Sequence, residues 1–432
     1  MRAAKWILIV FGVLATLVVA GILALTLFVD PNSFKDDIVD AVGRETGRTL
    51  QLDGDIDLAF FPWLALTTGT GSLSNPDGFA GAPFISWREA RIRVRLVPLL
   101  RGRAVVDTVR IVGADVRLAQ RADGRGNWQG WNSTNGAPQD NGVSGNGVIA
   151  GIELVDSLLV YGDESSDTEI ELTDWNLVAG AIRPGEPVEL ETTFAVDSND
   201  DFPAARLRIM GRYVPRRDAT VVENFRLAGT LHASSFNVAD LPVEVTVPIA
   251  RLTTDRAVDV PLWRVQLGSL DLQGVVNGQL DGTAGWSGSL TLTTANLRQA
   301  LAQFLIEAPA TRDPTVLGAA EIKTTWSFEA GIVAAKPLQV ALDDSALSGE
   351  LRITLAKELL TEFLLTGDQI TIDRYLPPVD AESEPFVLPT ARLRAMQARG
   401  TLDFAEASLA DARMKRVRIR LLLDDKGLHT RE

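Results

Sequence analysis

The first apolar positions along the chain form one unbroken block. From Trp6 to Val29 no charged side chain occurs, and the only hydroxyls are those of Thr16 and Thr26. A helix over this block is about 36 Å long, enough to cross a hydrocarbon core of about 30 Å with some tilt. A cleaved secretory signal has a shorter apolar core, about 7–15 residues, ending at small side chains. Here the block continues past Ala20 without a polar break. It predicts an uncleaved anchor, residues 1–29, carried by Trp6, Ile7, Leu8, Leu14, Leu17, Leu23, Leu25, Phe28 and Val29. Arg2 and Lys5 precede the block, and Asp30, Asp36 and Asp37 follow it. That asymmetry puts the N-terminus in the cytoplasm and the rest of the chain on the far side of the membrane.

The next segment changes period. Asp30-Pro31 is a helix start, with Asp as cap and Pro at the first helical position. Phe34, Ile38, Ala41 and Val42 then recur at helical spacing, opposite Asp36, Asp37, Asp40 and Arg44, and Gly47 is a stop signal. This predicts an amphipathic helix over 30–48. From Thr49 the period becomes two. Leu50, Leu52, Ile56, Leu58 and Phe60 alternate with Gln51, Asp53, Asp55 and Asp57; Ala90, Ile92, Val94 and Leu96 alternate with Arg91, Arg93 and Arg95. Similar runs recur at Val188–Val196, Leu351–Leu355 and Val417–Leu421. Such alternation marks antiparallel strands with one apolar and one wet face. Turn formers such as Ser74-Asn75-Pro76-Asp77-Gly78 and Asp281-Gly282 separate the runs, and the spacing predicts roughly 18–22 strands in a meander.

Few other segments are helical. Asn296 can cap a helix near 296–308, with Leu297, Leu301, Phe304 and Leu305 as its apolar stripe and Pro309 as its end. Residues 130–151, rich in Gly, Asn, Ser and Gln, predict a flexible loop, and Leu376–Pro389 is an acidic, proline-rich connection. The expected order is therefore an anchor, a helix, a first β segment over 49–129, the loop, and further β structure over 152–432.

Composition narrows the chemistry. The 432 residues hold 56 acidic against 42 basic side chains, a net charge of −14, which argues against nucleic acid as a partner. Cysteine is absent and the only histidines are His232 and His429. A thiolate metal site, a His-rich metal site or a Ser-His-Asp triad has almost nothing to be built from. No enzyme, cofactor or metal is expected. Asp343-Asp344 reads as a turn, since neighbours in a strand point to opposite faces. Gly124-Arg125-Gly126 is no phosphate loop, because no strand-to-helix unit with a lysine follows. Arg88, Arg91, Arg93 and Arg95 read first as a solvated row paired with acids on neighbouring strands, and second as phosphate contacts. From the pattern alone, the alternating strands are best read as an ordinary sandwich core.

Several motifs bear on that choice. They are Phe34-Lys35-Asp36-Asp37-Ile38, Thr46-Gly47-Arg48-Thr49-Leu50, Phe61-Pro62-Trp63-Leu64, Leu73-Ser74-Asn75-Pro76, Pro83-Phe84, Leu99-Leu100-Arg101-Gly102 and Gly126-Asn127-Trp128. Later come Leu342-Asp343-Asp344-Ser345-Ala346-Leu347-Ser348-Gly349 and Asp373-Arg374-Tyr375-Leu376-Pro377-Pro378. In these the chain resembles the AsmA family of Gram-negative inner-membrane proteins, most specifically over residues 1 to about 130. The resemblance implies an anchor in the inner membrane, a β-rich body in the periplasm, and a role in outer-membrane biogenesis. It implies a mainly β fold similar to chorein-type bridge lipid carriers: a long curved antiparallel sheet, groove-like, with a few short helices. Phospholipid or another lipid is then the expected cargo, moving between inner and outer membranes. Ile56, Leu58, Ile92, Val94 and Leu96 are candidates to line the groove. The alternative is a periplasmic assembly factor or scaffold that acts on outer-membrane protein insertion and targeting, with outer-membrane assembly components as partners. Family members usually carry further strands past Arg416–Gly427, so the resemblance also implies that the usual C-terminal part is lacking here.

Overall fold

The computed structural model describes residues 30–59, 64–95, 98, 106–129, 149–166, 168–183, 185–197, 204–232, 240–280, 285–355, 359–378, 396–410, 412–424 and 427–431. The predicted anchor over 1–29 and the candidate Leu96 lie outside them. Among the described residues, no helix is long and apolar enough to cross a membrane. The chain divides into two units, Met1–Asp197 and Ser198–Glu432.

The first unit begins as its sequence dictates. The Asp30 carboxylate accepts from the Asn32 amide at 2.9 Å, capping a 3-10 turn over Pro31–Phe34. Helix α1 (Lys35–Thr46) follows and ends at Gly47, whose φ of 68° is left-handed. The strands come next: β1 (Leu50–Leu52), β2 (Ile56–Ala59), β3 (Leu64–Thr68), β4 (Gly71–Leu73), β5 (Ile85–Trp87) and β6 (Glu89–Val94). After them run β7 (Val106–Val112), β8 (Asp115–Gln120), β9 (Ile149–Asp163), β10 (Thr168–Ala179) and β11 (Val188–Val196).

These strands make rungs that are creased near their middles. One half-row pairs β1–β4–β5–β8 with the C-terminal part of β9; the other pairs β2–β3–β6–β7 with its N-terminal part. The crease passes between β1 and β2, β3 and β4, β5 and β6, and β7 and β8, then through Asp156 and Asp174, both at positive φ. At it the apolar positions change parity: Ile85 and Trp87 before, Ala90, Ile92 and Val94 after. A bulge inserts one residue, and that extra residue returns the apolar side chains to one face. Alpha1 packs over this face through Ile38, Val39 and Val42, against a core of Leu50, Leu73 and Phe84.

The second unit carries β12 (Ala204–Pro215), β13 (Ala219–His232), β14 (Leu241–Thr253), β15 (Ala257–Leu267), β16 (Leu270–Gln279) and β17 (Trp286–Thr294). Helix α2 (Leu297–Gln303) precedes β18 (Ala320–Glu329), β19 (Ile332–Leu342), β20 (Ser345–Thr354) and β21 (Leu359–Thr371). Helix α3 (Ile372–Tyr375), β22 (Met396–Leu409), β23 (Ala412–Asp424) and β24 (Gly427–Arg431) complete it. A meander from β12 to β16 shifts register at Met210/Arg212, Thr246/Ile249 and Val260/Trp263, so this unit is creased as well.

Three expectations need correction. The sheet is mainly antiparallel, but β9 pairs parallel with β7 and β8, and β22 pairs parallel with β21. Tight turns enforce antiparallel neighbours, whereas a parallel pair needs a crossover of a dozen or more residues. The two long connections, 121–148 and 372–395, supply those crossovers. Beta9 already begins at Ile149, within the loop expected to run to residue 151. Alpha2 ends at Gln303, short of residue 308, and Leu305 adopts a φ of 51° there. Its start is as expected, with Asn296 accepting from the Gln299 amide at 3.0 Å.

Candidate functional site

Residues directly opposite in paired strands share a face. Leu58 stands opposite Leu66, Leu66 opposite Ile92, Ile92 opposite Val109, and Val109 opposite Ile152. Val94 stands opposite Leu64, and Ile56 lies two residues from Leu58. The structure thus brings Ile56, Leu58, Ile92 and Val94 onto one apolar face. Ile56 is buried beneath the segment that enters α1, where its amide donates to Asn32 Oδ1 at 3.0 Å. The rest of the row is only partly covered, and Ile92 is 36% exposed.

The opposite face of the same strands is a ladder of charges. Arg91 sits across from Arg110, and Arg110 across from Glu153, which it meets at 2.7 Å. Arg91 pairs with Glu89 at 3.2 Å and Arg95 with Asp107 at 3.1 Å, while Arg88 pairs with Asp156. Arg88, Arg91 and Arg95 are therefore matched by acids on their own and neighbouring strands, the first of the two readings. These pairs are half-exposed, so each adds little to stability.

The motif residues converge elsewhere, beneath α1. Asn127 is 1% exposed. Its side-chain oxygen accepts from the Ala119 amide at 3.0 Å, and its amide donates to the Arg117 carbonyl at 2.7 Å and to Asn75 Oδ1 at 3.0 Å. Arg48 donates to the Asn127 carbonyl at 2.7 Å and lies 4.5 Å from the Phe84 ring centroid. Burial lowers the Arg48 pKa. Trp87 and Trp128 pack on the same core, and Trp63 lies outside the described residues. So Arg48, Asn75, Phe84 and Asn127 form a structural lock that holds the first rungs in register, a role that sequence reasoning had not assigned to them. The signal was available: a polar residue flanked by Gly and Trp in a turn is a hydrogen-bond hub in waiting.

In the second unit the same division of faces holds. Leu292, Ile322, Val340 and Leu347 succeed one another across β17 to β20. Asp343-Asp344 forms the turn between β19 and β20, as expected. Asp343 accepts from the Leu317 and Gly318 amides and the Tyr375 hydroxyl, each at 2.8 Å. Arg374 pairs with Asp344 and, at 2.8 Å, with Asp313. This latch ties α3 and the segment after α2 to the hairpin. Thr315 first, and then Arg374, lowers Asp313 to about 2. Burial and then the bond to Asp343 raise Tyr375 to about 12. Burial alone would raise Asp343, but the Gly318 and Leu317 amides and Tyr375 outweigh it and its pKa is lowered. His232 is exposed at the end of β13, 3.9 Å from Asp240.

Residues 1–189 match the AsmA family model. The match shows the resemblance carried by the N-terminal motifs, and it covers the whole creased first sheet except its last strand. The chain is also 27% identical over 372 residues to Protein AsmA of Escherichia coli (strain K12), covering 84% of this chain and 47% of that protein. It thus spans about half the length of the curated relative it matches. No solved structure matches the chain.

Proposed function

We propose that the protein is an AsmA-like component of the Gram-negative envelope. In this reading the segment Trp6–Val29 anchors it in the inner membrane, and the apolar sheet face carries phospholipid acyl chains in outer-membrane biogenesis, without catalysis. The observation that carries the reading is the row Leu58, Leu66, Ile92, Val109 and Ile152, which stays only partly covered. A sandwich would bury such a row under a second sheet. An acyl tail of about 16 carbons laid on it would regain on the order of 10 kcal/mol, at about 0.8 kcal/mol per CH₂. That is enough to leave a bilayer without large loss. The family match over residues 1–189 supports the envelope setting.

The test is photo-crosslinking in cells, with a photoreactive residue replacing Val94 or, on the opposite face of the same strand, Arg93. Phospholipid adducts from Val94 alone are expected. A discrete protein adduct with no lipid at either position would replace this reading with that of an assembly factor.

A further inference from the structure

The polar face of the second unit holds a depression of about 780 Å³ that the proposed function does not use. Its walls come from β19 to β23. Registration makes it a checkerboard. Arg352, Glu362, Arg399 and Leu422 follow one another across β20 to β23, and beside them run Glu350, Leu364, Thr401 and Arg420.

Two features separate this basin from the rest of that face. The first is charge. Lys336, Arg352, Arg399 and Arg420 face only Glu350 and Glu362 within it, an excess of two cations in a chain of net charge −14. Lys336 pairs with Glu350 and Arg399 with Glu362. Asp403, just outside, is held by Arg418 at 2.6 Å and feels Arg420 only through space. Among the described residues, neither Arg352 nor Arg420 makes an ion pair. The second feature is apolar. Leu364 and Leu422, set among the charged side chains of the basin, are 49% and 46% exposed. A second depression of about 640 Å³ on the same unit's polar face, between β14 and β18, has polar and charged side chains at the matching positions, and its Lys323 is paired with Glu321 at 2.8 Å.

We propose that the basin is a ligand site for a phosphate borne on an apolar arm. Arg420 and the hydroxyl of Thr401, directly opposite it, seat the phosphate, and Arg399 is a diagonal neighbour of Arg420, about 7–8 Å away. Leu364, directly opposite Thr401, and Leu422, directly opposite Arg399, receive the arm. Arginine suits phosphate because its planar fork donates two parallel hydrogen bonds. A phosphate monoester carries about −1.5 to −2 charges near neutrality, which matches the excess; a lone carboxylate does not. The volume lies within the range of small-ligand sites. The site is distinct from the apolar face and stands whether or not that face carries lipid.

Calorimetric titration of the full chain in detergent tests the proposal with three probes: inorganic phosphate, monohexanoylglycerol and dihexanoylphosphatidic acid. Dihexanoylphosphatidic acid is expected to bind more tightly than either fragment. Arg420→Gln should weaken it about tenfold, the loss of one charge-assisted contact. Leu364→Asn should weaken it without changing the response to phosphate, and Lys323→Gln, in the second depression of the same face, should leave it unchanged. All three substitutions are at exposed positions, and far-ultraviolet circular dichroism confirms that the fold is kept. Phosphate binding as tightly as the amphiphile would reduce the basin to an anion patch and overturn the proposal. An affinity unmoved by Arg420→Gln would also overturn it, and an equal loss on Lys323→Gln would show a diffuse charge effect and overturn it as well.

Discussion

Arg48 and Asn127 lie 79 positions apart, and the Arg48 guanidinium donates to the Asn127 carbonyl at 2.7 Å inside the first unit. That bond joins the end of α1 to the turn after β8, with β1, β4 and β5 between them in the sheet. Asn127 in turn holds Asn75 and, at Arg117 and Ala119, strand β8, so two further stretches of chain depend on one carboxamide.

Asn127→Leu keeps the size of the side chain and removes its donors and acceptor. The Ala119 amide and the Arg117 carbonyl then lose their side-chain partner in a buried site. Each buried group left unsatisfied costs about 1–3 kcal/mol. The expected loss is about 2–4 kcal/mol for the first unit, read from urea unfolding followed by tryptophan fluorescence, to which neighbouring Trp128 contributes. A loss below about 1 kcal/mol would show that the hub is not what holds the rungs.

Much of this fold was legible in the alternation of apolar and polar residues, because a half-covered strand has no other way to satisfy both faces. The helix at 30–48 was legible from Asp30, Pro31 and Gly47, since capping and termination are local. The crease was written in the sequence too, as the change of parity between Trp87 and Ala90, but a parity change also occurs at an ordinary turn. Only the register of β5 and β6 against their partners tells the two apart. The parallel pairs at β9 and β22 could not be read from the strands themselves. They follow from which edge a long connection returns to, and that is decided by packing far along the chain. The basin around Leu364 and Leu422 was invisible for a related reason. Each leucine looks like a core residue in its own strand, and only strand registration places it among arginines.

Gly113 tests the crease. Its φ is 63°, its amide donates to the Val155 carbonyl at 2.8 Å, and a Cβ added there would come within 2.0 Å of Arg88 Nε. Arg88 pairs along the crease with Asp156, itself at a φ of 51°. Gly113→Ala must bear the left-handed cost of about 1–2 kcal/mol and also displace Arg88. Gly124 is the control: its φ is 81°, but a Cβ there meets nothing within 4 Å. Gly124→Ala should cost only the backbone term. Equal losses in the two variants, measured by thermal unfolding, would remove the crease from the list of constraints on the first unit.

The latch of the second unit has opposite acid and alkaline limits. Asp313 is lowered to about 2, below the ordinary carboxylate value. Its contribution is therefore present above pH about 4 and is lost as the pH falls through about 2. Tyr375 is raised to about 12, above the ordinary phenol value, so the fold favours its neutral form. That contribution is full below pH about 10 and is lost as the pH rises through about 12. Arg374, which bridges Asp313 and Asp344, stays charged across this range, and its pKa is raised by those same two acids. Asp313→Asn should therefore flatten the acid limb of the stability–pH curve and leave the alkaline limb in place; urea midpoints between pH 2 and 7 report it. Tyr375→Phe should remove a tyrosinate absorbance step near pH 12 from the difference titration at 295 nm. A step near pH 10 instead would mean that the Tyr375 hydroxyl is not held by Asp343, and that α3 is not fastened to the β19–β20 hairpin.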